Sequence, residues 1–186
     1  MQRLQMKTVL AFGAVLAFGF APGAAQAQQS SASQHEAPLP PNVAAEMPFN
    51  IPYGKPIALS TARHIVDAAL AESSRRHWKE ACAIVEGNGQ LVLFEKQDDT
   101  QYGSIEVALD KAKSAALYRR PTTLFNEATE HGHPYVMMLT GSTAVPGGMP
   151  IVAGGHLIGG LGCSGGTGGQ DIVVADAGMK ALGEKH

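Results

Sequence analysis

Eleven of the 23 residues from Gly147 to Gly169 are glycine, and an apolar-periodic run comes directly after Gln170-Asp171. Glycine adopts left-handed turns without strain and lets two backbones approach closely. A stretch this dense therefore implies tight turns and close-packed neighbours. It also satisfies two catalytic motifs on paper, Gly160-Leu161-Gly162-Cys163-Ser164-Gly165 as G-x-G-x-x-G and Gly162-Cys163-Ser164-Gly165-Gly166 as G-x-S-x-G. A dinucleotide site needs a second parallel strand ending in an acid about 20 residues further on, whereas here the predicted helix occupies the remaining residues. A hydrolase needs an acid and then a histidine after the serine, and the candidates that remain are Asp171, Asp176, Glu184 and His186. The expected reading is structural: a hairpin, a closely packed strand and a helix entry. That helix start could also take an anion, with Ser164, Gly165, Gly168 and Gly169 around it. Asp171, as a first-turn acid, could fill the same place itself.

The chain opens as an export signal does. Arg3 and Lys7 precede an apolar run from Thr8 to Phe20, and Ala25-Gln26-Ala27 makes an A-x-A cleavage site. Residues 1–27 are expected to be removed, which places the protein in the periplasm or outside the cell. The remaining 159 residues carry a formal charge of −4 and suffice for one domain. No basic stripe interleaved with aromatics is present, so nucleic acid is not an expected partner. Export makes a Cys82–Cys163 disulfide possible. Both cysteines lie in apolar strand-like runs, however, where a free cysteine behaves as a small hydrophobe, and two free thiols are expected.

Residues 28–58 contain Pro38, Pro40, Pro41, Pro48, Pro52 and Pro56 and read as an extended arm, with Met47, Phe49, Ile51 and Tyr53 as its apolar cluster. Residues 59–186 form the domain. Ser60 is a plausible cap for a helix to about Trp78, followed by strands Ala81 to Val85 and Leu91 to Phe94 around the hairpin signal Asn88-Gly89. A helix from near Ser104 to Tyr118 presents Ile105, Ala108, Leu109, Ala112, Ala115 and Ala116 on one face. Pro121 stops it, and Thr122 or Thr123 can cap a short helix through Ala128. Strands are expected at Tyr135 to Leu139, Pro150 to Ala153 and Leu157 to Cys163, the last two joined by Gly154-Gly155, and a final helix begins near Gln170. Two hairpins among helices indicate an α/β (α+β) domain with an antiparallel sheet and helices on its faces.

Seven histidines are available, at 35, 64, 77, 131, 133, 156 and 186, with no H-x-x-x-H or H-E-x-x-H spacing, so a zinc hydrolase is not indicated. His35 and His186 fall in tails. A haem iron can be held by a single axial histidine, which makes His64 on the polar face of the first helix, and His131 and His133 around Gly132, candidate ligands. A solvated or capping role is the alternative for each. Arg119-Arg120, with Lys111 and Lys113, could pair with haem carboxylates or simply end a helix.

The span from about Leu59 to Leu182 resembles the GlcG/HbpS haem-binding family, related to the carboxy-terminal domain of PduO-type proteins. The matching blocks are Ile84-Val85-Glu86-Gly87-Asn88-Gly89, Gly103-Ser104-Ile105-Glu106-Val107-Ala108, Lys111-Ala112-Lys113-Ser114-Ala115-Ala116, Arg119-Arg120-Pro121-Thr122, Gly147-Gly148-Met149-Pro150 and Ile158 through Gly166. The arm Met47 to Gly54 also looks like that of exported members. The resemblance implies a three-layer α/β/α, profilin-like domain with a mostly antiparallel five-stranded sheet, homo-oligomers reaching octamers, and haem binding used for sensing, buffering or degradation. Some members are instead named from a glycolate-utilisation operon. This leaves a short hydroxy- or oxo-acid enzyme or accessory protein as the alternative. Members commonly carry aspartate where Glu86 stands. The family's iron ligands do not map onto one motif here, so His64 and His133 are put forward as iron ligands on chemical grounds, with His131, Thr122, Arg119 and Arg120 as neighbours of the haem.

Overall fold

Strand β1 (Ala81–Glu86) decides the layering of the domain. Its Cys82 and Ile84 belong to one apolar cluster and its Ala81, Ala83 and Val85 to another, so the strand is buried on both faces. This fits a sheet covered by helices on either side. In the computed structural model, residues 40, 41 and 43–183 are described. The chain divides into the units Met1–Val43 and Ala44–His186, and the second unit holds every helix and strand found among the described residues. The expected export signal, the first part of the arm, His35 and His186 lie outside the described residues.

The other elements are α1 (Leu59–Arg75), β2 (Leu91–Lys96), α2 (Ser104–Tyr118), α3 (Thr123–Glu130), β3 (Gly148–Ala153), β4 (His156–Ser164) and α4 (Gly168–Gly183). The sheet runs β2-β1-β4-β3 with every neighbouring pair antiparallel. Its two hairpins are the expected ones: Gly89 takes φ 84° in the first turn, and Gly154 and Gly155 take φ 57° and 76° in the second. Helices α1 and α4 cover the face bearing Ile84, Ile151 and Leu161, and α2 covers the other. The α/β/α expectation holds with four strands rather than five. Among the described residues the arm supplies a single parallel bridge, Tyr53 to Leu157, beside β4 beyond its last pairing with β1. Pro52 and Pro56 flank that bridge, and proline cannot donate to a ladder, so no full strand develops.

The glycine-rich stretch is explained by packing. A Cβ at Gly160 would land on the Ala112 carbonyl oxygen, and one at Gly162 on that of Ala108. Helix α2 therefore lies backbone to backbone on β4, with its alanines as the facing surface. On the opposite side Gly178 brings α4 against α1, where an added Cβ would meet the Ile65 carbonyl oxygen at 2.9 Å.

Three expectations are corrected. Residues Tyr135 to Leu139 form no strand: Pro134–Met138 is a 3-10 turn closed by bonds such as Val136 N to His133 O at 3.3 Å, and the Ser142 hydroxyl donates to the carbonyls of Val136 and Leu139, each at 2.8 Å. The first helix begins at Leu59 with Ala58 in the cap position, so Ser60 lies inside it and caps nothing. The cysteines are joined: Cys82 and Cys163 are direct partners in the β1–β4 register, with Cα atoms 4.2 Å apart, and form a fully buried disulfide. Each cysteine taken within its own strand suggests a buried free thiol. The pairing is a property of two strands that no hairpin connects.

Candidate functional site

Lysine is almost never fully buried unless paired, yet Lys111 sits on the alanine stripe of α2 with no exposed surface. Its Nζ donates to the Cys163 carbonyl oxygen at 2.9 Å and to Asp171 Oδ2 in a short contact. Asp171 lies in the first turn of α4. Its other oxygen accepts from the amides of Gly165 at 3.2 Å and Gly166 at 3.0 Å. One carboxylate thus ties the turn after β4 to the middle of α2. Gly147 makes room for it, since a Cβ there would meet that of Asp171 at 2.7 Å.

A third ionisable group completes this cluster. The backbone of Glu80 is fixed by Gln97, whose Oε1 accepts from the Glu80 amide at 2.8 Å, and by the Thr100 hydroxyl, which donates to its carbonyl at 3.1 Å. The side chain is fully buried, with Asp171, Lys111 and the Gly166 amide as its polar neighbours. Burial, then the charge of Asp171, pushes its pKa up to about 8, while burial pushes that of Lys111 down. The cluster thus combines the Lys111–Asp171 pair with a Glu80 carboxyl that burial holds toward its protonated form.

This arrangement makes stability depend on pH. Between the ordinary carboxylate value of 4.5 and about 8, folded Glu80 keeps a proton that the unfolded chain has released. Stability therefore falls as pH rises through that window, by up to about 1.4 kcal/mol per pH unit. Denaturant titrations from pH 5 to 9 should show this slope in the parent protein, and Glu80→Gln should flatten it. A Glu80→Gln profile that runs parallel to the parent's would refute a protonated Glu80.

The remaining sequence candidates are spread over the domain. Arg119 and Arg120, the cations expected to meet carboxylates, hold the arm. The Arg120 guanidinium lies 3.9 Å from the Phe49 ring centroid and 4.9 Å from that of Phe125. Arg119 lies 5.4 Å from that of Tyr53 and donates from Nη1 to the Ile51 carbonyl at 3.1 Å. Such contacts contribute roughly 0.5–2 kcal/mol each. Thr122 stands at the N-cap of α3 but makes no side-chain capping bond. Its hydroxyl donates to the Val145 carbonyl at 2.8 Å and accepts from the Gly148 amide at 3.0 Å, and the residue is buried.

His64 is half-buried on α1. His131 and His133 flank an exposed turn after α3, on elements separate from α1. His131 Nδ1 is 2.6 Å from the Glu127 carbonyl oxygen. A carbonyl can only accept, so in the neutral ring Nδ1 carries the proton and Nε2 keeps its lone pair. The His133 ring meets Tyr135 edge-on at 5.7 Å, and Tyr135, Met137 and Met138 are all exposed beside the turn. Around Ser164, which is buried at the end of β4, the amides of Gly165 and Gly166 are taken by Asp171 and that of Thr167 by Gln170 Oε1 at 2.8 Å. Gly168 packs against Pro146, and Gly169 faces open space.

Sequence reasoning singles out Lys111 and Asp171 separately and passes over Glu80. One signal was available: Lys111 falls three residues after Ala108 and four before Ala115, on the stripe that helical spacing buries. A lysine there calls for a carboxylate.

A glycine-faced antiparallel sheet, an alanine-rich helix lying on it and a buried lysine–aspartate tie define a three-layer α/β/α domain of one particular kind. The chain belongs to the family described as haem degrading protein HbpS-like, whose model matches residues 57–180. Protein GlcG of Escherichia coli K12 is 32% identical over 103 residues, 55% of this chain and 77% of that protein. The crystal structure of a double mutant of Streptomyces reticuli HbpS aligns with a TM-score of 0.66 and 25% identity, covering 79% of this chain and 100% of that one. A structure described as a PduOC:heme complex aligns with a TM-score of 0.63 and 23% identity over 68% of this chain and 94% of that one, a likeness of fold.

Proposed function

We propose that this chain is an exported haem-binding protein that holds haem or a related tetrapyrrole to buffer, sense or slowly degrade it, and that it works as a homo-oligomer. Membership of the HbpS-like family carries the reading, and a neighbour of the same fold crystallised with haem supports it. A buried disulfide accords with an oxidising compartment. No helix among the described residues is long and apolar enough to cross a membrane.

The side chains suit the cofactor. His131 presents Nε2 with its Nδ1 proton held by a carbonyl, and this is how metal-binding imidazoles are commonly oriented. Beside it, Tyr135, Met137 and Met138 offer exposed apolar surface for a porphyrin face. His64, on α1, is the alternative ligand. When bound, haem supplies one-electron and oxygen chemistry at its iron. The short-acid alternative has less support, because the amides that would hold a carboxylate at the start of α4 already bond Asp171 and Gln170.

Titrating purified protein with haemin should give a shifted Soret band that saturates stoichiometrically, and one of His64→Ala, His131→Ala or His133→Ala should abolish it. Absence of the shifted band at stoichiometric haemin would sink the proposal. Size-exclusion chromatography with light scattering tests the oligomer.

A further inference from the structure

A cavity of about 400 Å³ opens between the arm and the turn joining β1 to β2. This lies at the small end of the range for organic ligands, about 300–1,000 Å³. Tyr53, Pro56 and Leu117 form its apolar walls, Gly87 leaves its floor without a side chain, and Glu86 and Asn88 supply its polar groups.

The aromatic wall is fixed in place before any ligand arrives. The Tyr53 hydroxyl donates to the Leu117 carbonyl at 3.1 Å, its backbone bridges Leu157, and Arg119 stands over its ring. The floor is equally specific, since a Cβ at Gly87 would meet Tyr53 Cδ1 at 3.1 Å. Asn88 Oδ1 accepts from the Gln90 amide at 2.9 Å, leaving its amide group to donate.

The charge points one way. The Glu86 carboxylate is only half-buried, and no lysine or arginine among the described residues comes within ion-pair distance of it. Two cations stand nearby, Arg119 over the Tyr53 ring with a bond to the Ile51 carbonyl and Lys113 with its stem beside Gly89, but neither pairs with Glu86. An anion would meet a carboxylate that has no ion-pair partner. A cation would gain that carboxylate and an aromatic wall together.

We infer that this groove binds a small organic cation, an ammonium group on a compact apolar body, with Glu86 as its counter-ion and Tyr53 as its wall. The site is separate from the histidines considered for haem and does not depend on them.

Calorimetric titration of the intact protein with 2-phenylethylammonium, neutral 2-phenylethanol and anionic phenylacetate tests this. The ammonium compound should bind saturably at one site per chain and the other two should not. Glu86→Gln and Tyr53→Ala should each weaken it by about tenfold or more, the factor expected for losing a charged hydrogen-bond partner or its packing surface. Thermal midpoints show whether each variant remains folded, and haemin titration of Glu86→Gln should match the parent, which separates this site from the haem reading. Lack of saturation by the ammonium compound up to roughly 10 mM, equal binding of all three probes, or indifference to both variants would overturn the inference.

Discussion

Asp171→Asn should lower the unfolding free energy by about 3–5 kcal/mol, the usual effect of stranding one member of a buried ion pair. The substitution is informative because asparagine keeps an oxygen that can accept from the Gly165 and Gly166 amides. What disappears is the negative charge facing Lys111 Nζ, a lysine with no exposed surface whose other acceptor is the Cys163 carbonyl. Lys111→Met should cost a similar amount by stranding Asp171 instead. Methionine is close in length to the lysine side chain, whose tip lies beside Gly147. The double variant should be far less damaging than the sum of the two, because no unpaired charge remains. Urea unfolding followed by far-UV circular dichroism supplies all four free energies. Additive losses would show that the two residues act independently and that the buried tie contributes nothing as a pair.

Replacing both cysteines by alanine should cost up to about 4.5 kcal/mol. The bridge closes a loop spanning a sequence separation of 81, and the chain-entropy account assigns a loop of this size that much stabilisation. The kinetics should be equally telling. Both sulfurs lie in the sheet interior with no exposed surface, so an attacking thiolate has no route to them in the folded state. Reduction by dithiothreitol should therefore proceed at the rate of unfolding and accelerate in step with added urea. Rapid loss of the bridge from native protein, read by mass spectrometry after alkylation, would contradict the buried placement.

Local signals carried much of this fold. Asn88-Gly89 and Gly154-Gly155 marked both hairpins because a two-residue turn is written in its own residues. The alanine stripe of α2 and the glycines of the strand it covers were both legible, although which helix lay on which strand was not. Long-range pairing stayed hidden. The β1–β4 register joins strands separated by two other strands, two helices and a 3-10 turn and brings Cys82 to Cys163, while the packing of α2 on β4 brings Lys111 to the turn that Asp171 holds. Pro134 also misled: the apolar residues after it suited a strand, but none is buried, and backbone bonds curl the segment into a turn. At the candidate site the histidines could be put forward by residue type alone, while the hold of Arg119 and Arg120 on Phe49 and Tyr53 required three dimensions. Aromatic residues in an arm and cations at a helix end carry no mark of their partnership.

The strand order has a consequence for how the chain reaches this state. The centre of the sheet is β1 beside β4, so the first strand made waits for the last before either is covered on both sides. Until residues near Ser164 are available, a nascent chain can form only the β1–β2 hairpin and isolated helices, none of which buries enough surface to stand alone. Closure of such a distant contact is slow relative to helix formation. Folding is therefore held back until nearly all of the domain has been synthesised, and then completes around a single late pairing.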